Sequence, residues 1–272
     1  LNRQELWDYY KSAYEPQNMI LAVAGYIDQK KLKKLVDKYY ALQKNLKVSR
    51  LRPDGLRRAE KRTKNSFEKF IFPVGGVKLA DRVIAQERKV DQAHLILGFP
   101  GLNHNHPRRY ALGLMTHILG GGMSSRLFME VREKRGLAYM VHTSNSGFRD
   151  VGMTCVRAGL DPARLPEALR VIKEELQKMA ATGVTDRELR DAKNNISGRL
   201  ALNMEESNAQ AEWYAKQFWF MKKIETPEVL LKKIKKVTAK EIQAVAKEIF
   251  DFDRMRLAVI GPVKKEDVLK MI

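Results

Sequence analysis

Residues 44 to 69 carry ten Lys or Arg against Asp54, Glu60 and Glu68, with the turn signal Pro53-Asp-Gly55 and few apolar side chains. Such a stretch cannot be buried, because each unpaired charge taken from water costs far more than its aliphatic stem returns. It reads as an exposed basic linker over residues 43–82, and it divides the 272 residues into a short front segment, 1–42, and a back segment, 83–272. A chain cut in this way folds as two units rather than around one core.

The front segment has helical spacing through Leu6, Tyr9, Tyr10 and Ala13, ended by Tyr14-Glu-Pro16, because the residue before a proline is pushed out of the α region. The run Asn18 to Gly25 has strand length, and Asp28 caps a second helix bearing Leu32, Leu35, Val36 and Tyr39 on one face. One strand between two helices closes no core, so this segment must pack on something else. The chain also opens on Leu1 in mid-pattern, without a signal peptide, which is the expectation for a piece of something longer. Its longest apolar stretches, 19–25 and 94–100, fall far short of the roughly 20 residues that span a bilayer, so a soluble, cytoplasmic protein without membrane partners is expected.

The back segment reads as α+β. Strand-like runs at 83–90 and 93–99 precede a helix over 107–119, the triplet Gly120-Gly121-Gly122 and a short helix over 127–134. Strands follow at 138–144 and 151–158. Asp161-Pro162 opens a helix through Leu176, Thr185-x-x-Glu188 opens a long helix reaching Phe220, and Thr226-Pro227 and Thr238-x-x-Glu241 open two more before a closing strand at 255–260. About four strands, with helices in runs rather than in strict alternation, suit an antiparallel sheet packed with helices.

The stretch Ile118-Leu-Gly-Gly-Gly-Met-Ser-Ser-Arg-Leu-Phe-Met-Glu-Val-Arg-Glu-Lys-Arg-Gly-Leu-Ala-Tyr139 strongly resembles the second-lobe signature of the insulinase-type, or M16, zinc metallopeptidases. Asp91-Gln-Ala-His-Leu-Ile-Leu-Gly-Phe-Pro100, Gly159-Leu-Asp-Pro162 and Val184-Thr-Asp-Arg-Glu-Leu-Arg-Asp-Ala-Lys193 are similar to further landmarks of that lobe. Tyr9 to Gly25 resembles the end of the first lobe. The resemblance implies an M16-like lobe over 83–272, preceded by the end of a similar lobe over 1–42.

Family members bind zinc through His-x-x-Glu-His and a distant Glu in the first lobe. None of His94, His104, His106, His117 and His142 belongs to such a string, so the expectation is zinc in a parent protein and no metal bound by this chain. The resemblance implies roles for Arg132 and Tyr139, whose spacing matches a pair that reaches across the closed chamber. A guanidinium and a phenol can donate to substrate carbonyls and to the oxyanion that forms when a peptide bond is attacked. Read without the resemblance, Arg132 is a solvated helix arginine and Tyr139 a strand tyrosine.

Gly120, Gly121 and Gly122 fit neither Gly-x-Gly-x-x-Gly nor a Walker motif; they are a helix stop, with a faint echo of the substrate-engaging glycine loop of processing peptidases. The group His104, His106 and His117 reads as surface loop and helix packing rather than a metal cluster. Cys155 reads as a small buried hydrophobe, and Trp213, Phe218, Trp219 and Phe220 as packing residues. A single cysteine bars a disulfide framework and a thiolate zinc site.

The net charge of +19 invites a nucleic-acid reading. Apart from the linker, it is carried by a lysine-rich stretch, Lys222 to Lys236, without an RNA-binding or helix-turn-helix motif, so solvated helix faces explain it better. Three readings follow. The first is the C-terminal part of an M16 peptidase, inactive alone, whose partners are a peptide or unfolded protein substrate and the zinc-bearing lobe or a second M16 chain. The second is a non-catalytic subunit of the same fold, and the third a basic nucleic-acid-binding protein.

Overall fold

The computed structural model describes residues 2–15, 18–39, 77–221 and 223–272. The chain separates into two compact units. One holds the described residues of Leu1–Ser66 together with Arg199–Thr226; the other holds those of Phe67–Gly198 and Pro227–Ile272.

In the first unit, helix α1 (Arg3–Ala13) begins at a capping box: Asn2 Oδ1 accepts from the Glu5 amide at 2.9 Å, and the Asn2 amide donates back to Glu5 Oε2 at 3.1 Å. Its Trp7, Tyr10 and Tyr14 rings stack in series, yet no residue of the helix is buried. Helix α2 (Gln29–Tyr39) starts where Asp28 Oδ1 accepts from the amides of Lys30 and Lys31. Between them the expected strand at 18–25 keeps the alternation of a strand, with Met19, Leu21 and Val23 exposed and Ile20, Ala22 and Ala24 half-buried, but pairs with no other described segment. A strand is completed by its ladder partner, which this run does not find among the described residues.

The second unit is built on a sheet of β1 (Val83–Glu87), β2 (Ala93–Gly101), β3 (Ala138–Gly147), β4 (Gly152–Leu160) and β5 (Arg256–Gly261), in the order β1-β5-β2-β4-β3. β1 and β5 run parallel; every other pair is antiparallel. The closing strand therefore lies between β1 and β2. On one face Leu95, Leu97, Phe99, Val156, Ala158 and Val259 are buried under the helices α3 (Arg109–Gly120), α4 (Leu165–Thr182) and α8 (Ala239–Ile249). The Phe99 ring meets those of Phe250 and Phe252 edge-on at 5.4 and 5.7 Å. The opposite face is largely exposed, with His94, Ile96, Met153, Arg157 and Ile260.

Both capping boxes expected from sequence form: Thr185 with Glu188 at the start of α5 (Asp186–Asn203), and Thr238 with Glu241 before α8. The long helix expected to reach Phe220 is instead broken at 204–206 into α5 and α6 (Ser207–Phe220). Asn203, Ser207 and Asn208 are weak helix formers, and the Met204 carbonyl accepts from Gln210 Nε2 at 2.7 Å. In α6, Trp213 Nε1 and Gln217 Nε2 both donate to the Glu225 carbonyl, so Trp213 fastens a loop while Trp219 is exposed.

Helices α7 (Pro227–Lys236) and α9 (Lys265–Lys270) pack against α3 and β1. Residues 43–76 of the expected linker lie outside the described residues. Its end is docked: Arg82, on the turn Leu79–Arg82, donates from Nη1 to the Phe252 carbonyl at 2.7 Å. No helix among the described residues is long and apolar enough to cross a membrane.

Candidate functional site

The chain from Gly120 to Tyr139 runs from the end of α3 to the start of β3 and brings the expected site residues onto one border of the sheet. Gly120 is buried where α3 meets β3. A Cβ on it would stand 2.6 Å from the Thr143 amide nitrogen and nearer still to Thr143 Oγ1, so the close approach of helix to strand requires glycine there. Gly121 packs back on His117, whereas nothing lies within 4 Å of a Cβ at Gly122. Ser125 then turns the chain, its amide and hydroxyl both donating to the Gly122 carbonyl.

Residues Phe128–Glu133, expected as an ordinary short helix, form a π-helical turn, with the Lys134 amide reaching the Met129 carbonyl at 2.9 Å. Its apolar side is anchored by Leu127 and Val131, both fully buried. Its outer side carries Arg132, whose guanidinium lies 5.0 Å above the Phe128 ring. Glu130 is engaged by Lys134 and Arg135, and the hydrogen bonds from Arg135 and then Lys134 lower its pKa against a small opposing effect of burial. Arg132 is therefore the cation of this turn that Glu130 does not take up.

The turn lies against β3, which opens with a β-bulge: Ala138 pairs with Leu160, Met140 with Gly159, and Tyr139 is the extra residue. A bulge turns two successive side chains toward one side. Tyr139 and Met140 are 60% and 48% exposed, while Ala138 and Val141 stay buried. Among the described residues nothing bonds to the Tyr139 hydroxyl or the Arg132 guanidinium, so both keep their donors available.

Across the open face, Met140, Gly159, His94 and Ile260 stand in register on β3, β4, β2 and β5. The row leads from Tyr139 to a shallow hollow lined by Arg88, Val90, Asp91, Gln92, His94 and Ile260. An arginine fork, a phenol and an amphipathic hollow along one sheet border are suited to the carbonyls and side chains of an extended peptide.

Several other expected residues fall elsewhere. His104 and His106 are half-buried rather than on a free surface loop, the His104 amide donating to the Phe148 carbonyl at 2.9 Å. Burial, and secondarily Arg109, lowers the His104 pKa. Cys155 is buried, and burial raises its thiol pKa against a smaller opposing effect of Arg157.

Among the described residues no group of three His, Cys, Asp or Glu side chains could hold a metal ion. The described residues thus do not fit a catalytic zinc.

Arg126, in the same region, carries no individual signal in sequence. Arg126 donates from Nε to Glu188 Oε1 at 2.6 Å and from Nη2 to Glu188 Oε2 at 2.9 Å and to the Gly183 carbonyl at 2.8 Å. Glu188 is recognisable as a capping residue, but nothing in a separation of 62 residues announces its pairing with Arg126.

A five-stranded sheet backed by helices on one face, with the segment from Gly120 to Tyr139 feeding its edge strand, defines an α+β lobe. Residues 1–196 match the family described as the peptidase M16 inactive domain, and the chain belongs to the M16 peptidase family. It is 35% identical over 263 residues to a protein of Streptomyces coelicolor named an uncharacterized zinc protease, covering 97% of this chain and 54% of that one. A protein of the same description from Bacillus subtilis is 29% identical over 261 residues, covering 96% and 58%. The chain thus spans little more than half the length of these relatives.

Among solved structures, a protease from Helicobacter pylori superposes with a TM-score of 0.77 at 21% identity, over 96% of this chain and 59% of that one. A peptidase M16 inactive domain from Pseudomonas fluorescens superposes with a TM-score of 0.62 at 24% identity, over 67% and 44%. These likenesses establish the mixed α+β fold.

Proposed function

We propose that this chain is the portion of an M16 zinc metalloendopeptidase that binds substrate without carrying the metal. On this reading it forms a wall of the substrate chamber, and Arg132 and Tyr139 clamp the peptide and the developing oxyanion. On the same reading residues 1–42 close a first lobe, 83–272 form the second, and 43–82 link them. Zinc would come from a lobe in the same polypeptide or in a second M16 chain, so the chain alone would not cleave peptides.

The observation that carries this reading is the bulge at Tyr139, which turns a phenol outward beside the π-helical turn bearing a guanidinium that no carboxylate neutralises. The Arg132 fork fits two carbonyl oxygens, the phenol supplies one further donor, and donors aimed at developing negative charge stabilise it most where water is excluded. Gly122, with open space around it, is the member of the glycine triplet best suited to meet a substrate backbone. The relatives named zinc proteases are nearly twice as long as this chain, which favours a zinc-bearing portion in the same polypeptide over a separate subunit.

The test is turnover of a quenched peptide by the complete enzyme. Arg132→Ala and Tyr139→Phe should each lower kcat by about ten- to a thousandfold with zinc content unchanged. Wild-type turnover in both variants would remove the clamp.

A further inference from the structure

We infer that Arg126 and Glu188 form a positioning lock that sets the π-helical turn, and with it the Arg132 guanidinium, against the start of β3. This rests on the role proposed above for Arg132, and it concerns residues that touch no substrate.

The segment from α3 to β3 has few backbone ties to the rest of the fold, and the bond from Arg164 Nη1 to the Arg135 carbonyl at 2.9 Å falls beyond the turn itself. Ser125 bonds to Gly122, Met129 to Ser125 and Lys134 to Met129, all within the segment itself. Leu127 and Val131 are buried and decide which side of the turn faces inward, but apolar contacts are not directional and set its exact orientation less sharply than a hydrogen bond does. Arg126 supplies the direction. Its fork grips both oxygens of Glu188 and the Gly183 carbonyl, three bonds from one rigid plane to the first turn of α5 and the end of α4.

Glu188 is itself held by the Thr185 amide at 2.8 Å and the Thr185 hydroxyl at 2.9 Å, so the anchor is fixed before Arg126 reaches it. The arginine side chain is only 12% exposed, and its Nη1 is buried without a partner, so swinging out of this seat would abandon an enclosed charge-assisted fork. Arg132 lies six positions beyond Arg126, and the π turn that carries it is an uncommon geometry that needs its surroundings to hold it.

Arg126→Lys and Glu188→Gln test the lock. In this chain, amide exchange at Met129 and Lys134 should quicken about tenfold in both variants while the β2 and β4 amides keep wild-type protection, which also shows that the variants fold. In the complete enzyme both should lower kcat for a quenched peptide more than they change KM. Adding Glu188→Gln to Arg132→Ala should cost nothing further, because the lock acts through Arg132.

Unchanged exchange in the turn overturns the inference, as do losses that multiply in the double variant. Wild-type turnover by Arg132→Ala instead overturns the part of Arg132 in the clamp, and with it the lock's part in turnover, while the exchange measurement still decides whether the lock holds the turn.

Discussion

The Leu137 amide donates to the Val131 carbonyl at 2.8 Å, folding the chain back so that the turn bearing Arg132 and the bulge bearing Tyr139 face the same border of the sheet. The residue that permits this return is Gly136, at a φ of +59° with open space around it.

Gly136→Ala should therefore lose about 1 kcal/mol of stability, because an L-residue pays for left-handed backbone even where nothing crowds its side chain. Gly136→Asn should lose less, since asparagine visits that region more readily. Urea melts of the three proteins give the order Gly, Asn, Ala; an alanine variant as stable as wild type would contradict it.

The glycine triplet should divide sharply under substitution. Gly120→Ala drives a methyl group into Thr143 and its backbone, and should cost about 2–3 kcal/mol in the same melts. Gly122→Ala meets nothing and should fall within about 0.5 kcal/mol of wild type. Any loss of peptide turnover in Gly122→Ala would then report on substrate rather than on folding.

Acid should weaken the second unit through Glu188. Burial alone would raise its pKa, but the bonds from Arg126 and Thr185 prevail and lower it from 4.5 to about 2. A carboxyl lowered on folding contributes stability that is complete above its unfolded pKa and is lost as pH falls through the folded one. The loss should thus run from about pH 4.5 down to about pH 2, amounting to about 1–2 kcal/mol after allowance for solvent screening of this partly exposed pair. In Glu188→Gln that part of the pH dependence should disappear, leaving a flatter stability profile over the same interval.

Removing metal should leave the chain as it was. Chelator should not move its thermal midpoint, and metal analysis should find no stoichiometric zinc, given that no candidate ligand group exists among the described residues. A midpoint that drops on chelation and returns with zinc would refute this.

Much of the second unit can be read from periodicity and caps. The strand-length run Ala93 to Phe99 and the boxes at Thr185 and Thr238 are local signals, decided within a few residues, and each appears where expected. What local signals do not carry is partnership. β5 inserts between β1 and β2 because a strand's neighbours depend on the whole sheet. The run at 18–25 has a strand's pattern and no described ladder.

For the site, Arg132 and Tyr139 can be singled out by their spacing within a family motif, but the bulge and the π turn that orient them each depend on one residue more than regular geometry accommodates. Composition does not disclose such an insertion. Arg126 is hidden for a similar reason, its partner lying on a helix that begins far along the chain.

The bulge at Ala138 and Met140 also separates two demands that a regular strand would tie together. Tyr139 is the unpaired residue, so what stands at 139 is uncoupled from the alternation that buries Val141 and Thr143. The position is open to variation without repacking: a lineage, or an engineer, can change what this border offers to a ligand while the interior beneath it stays as it is.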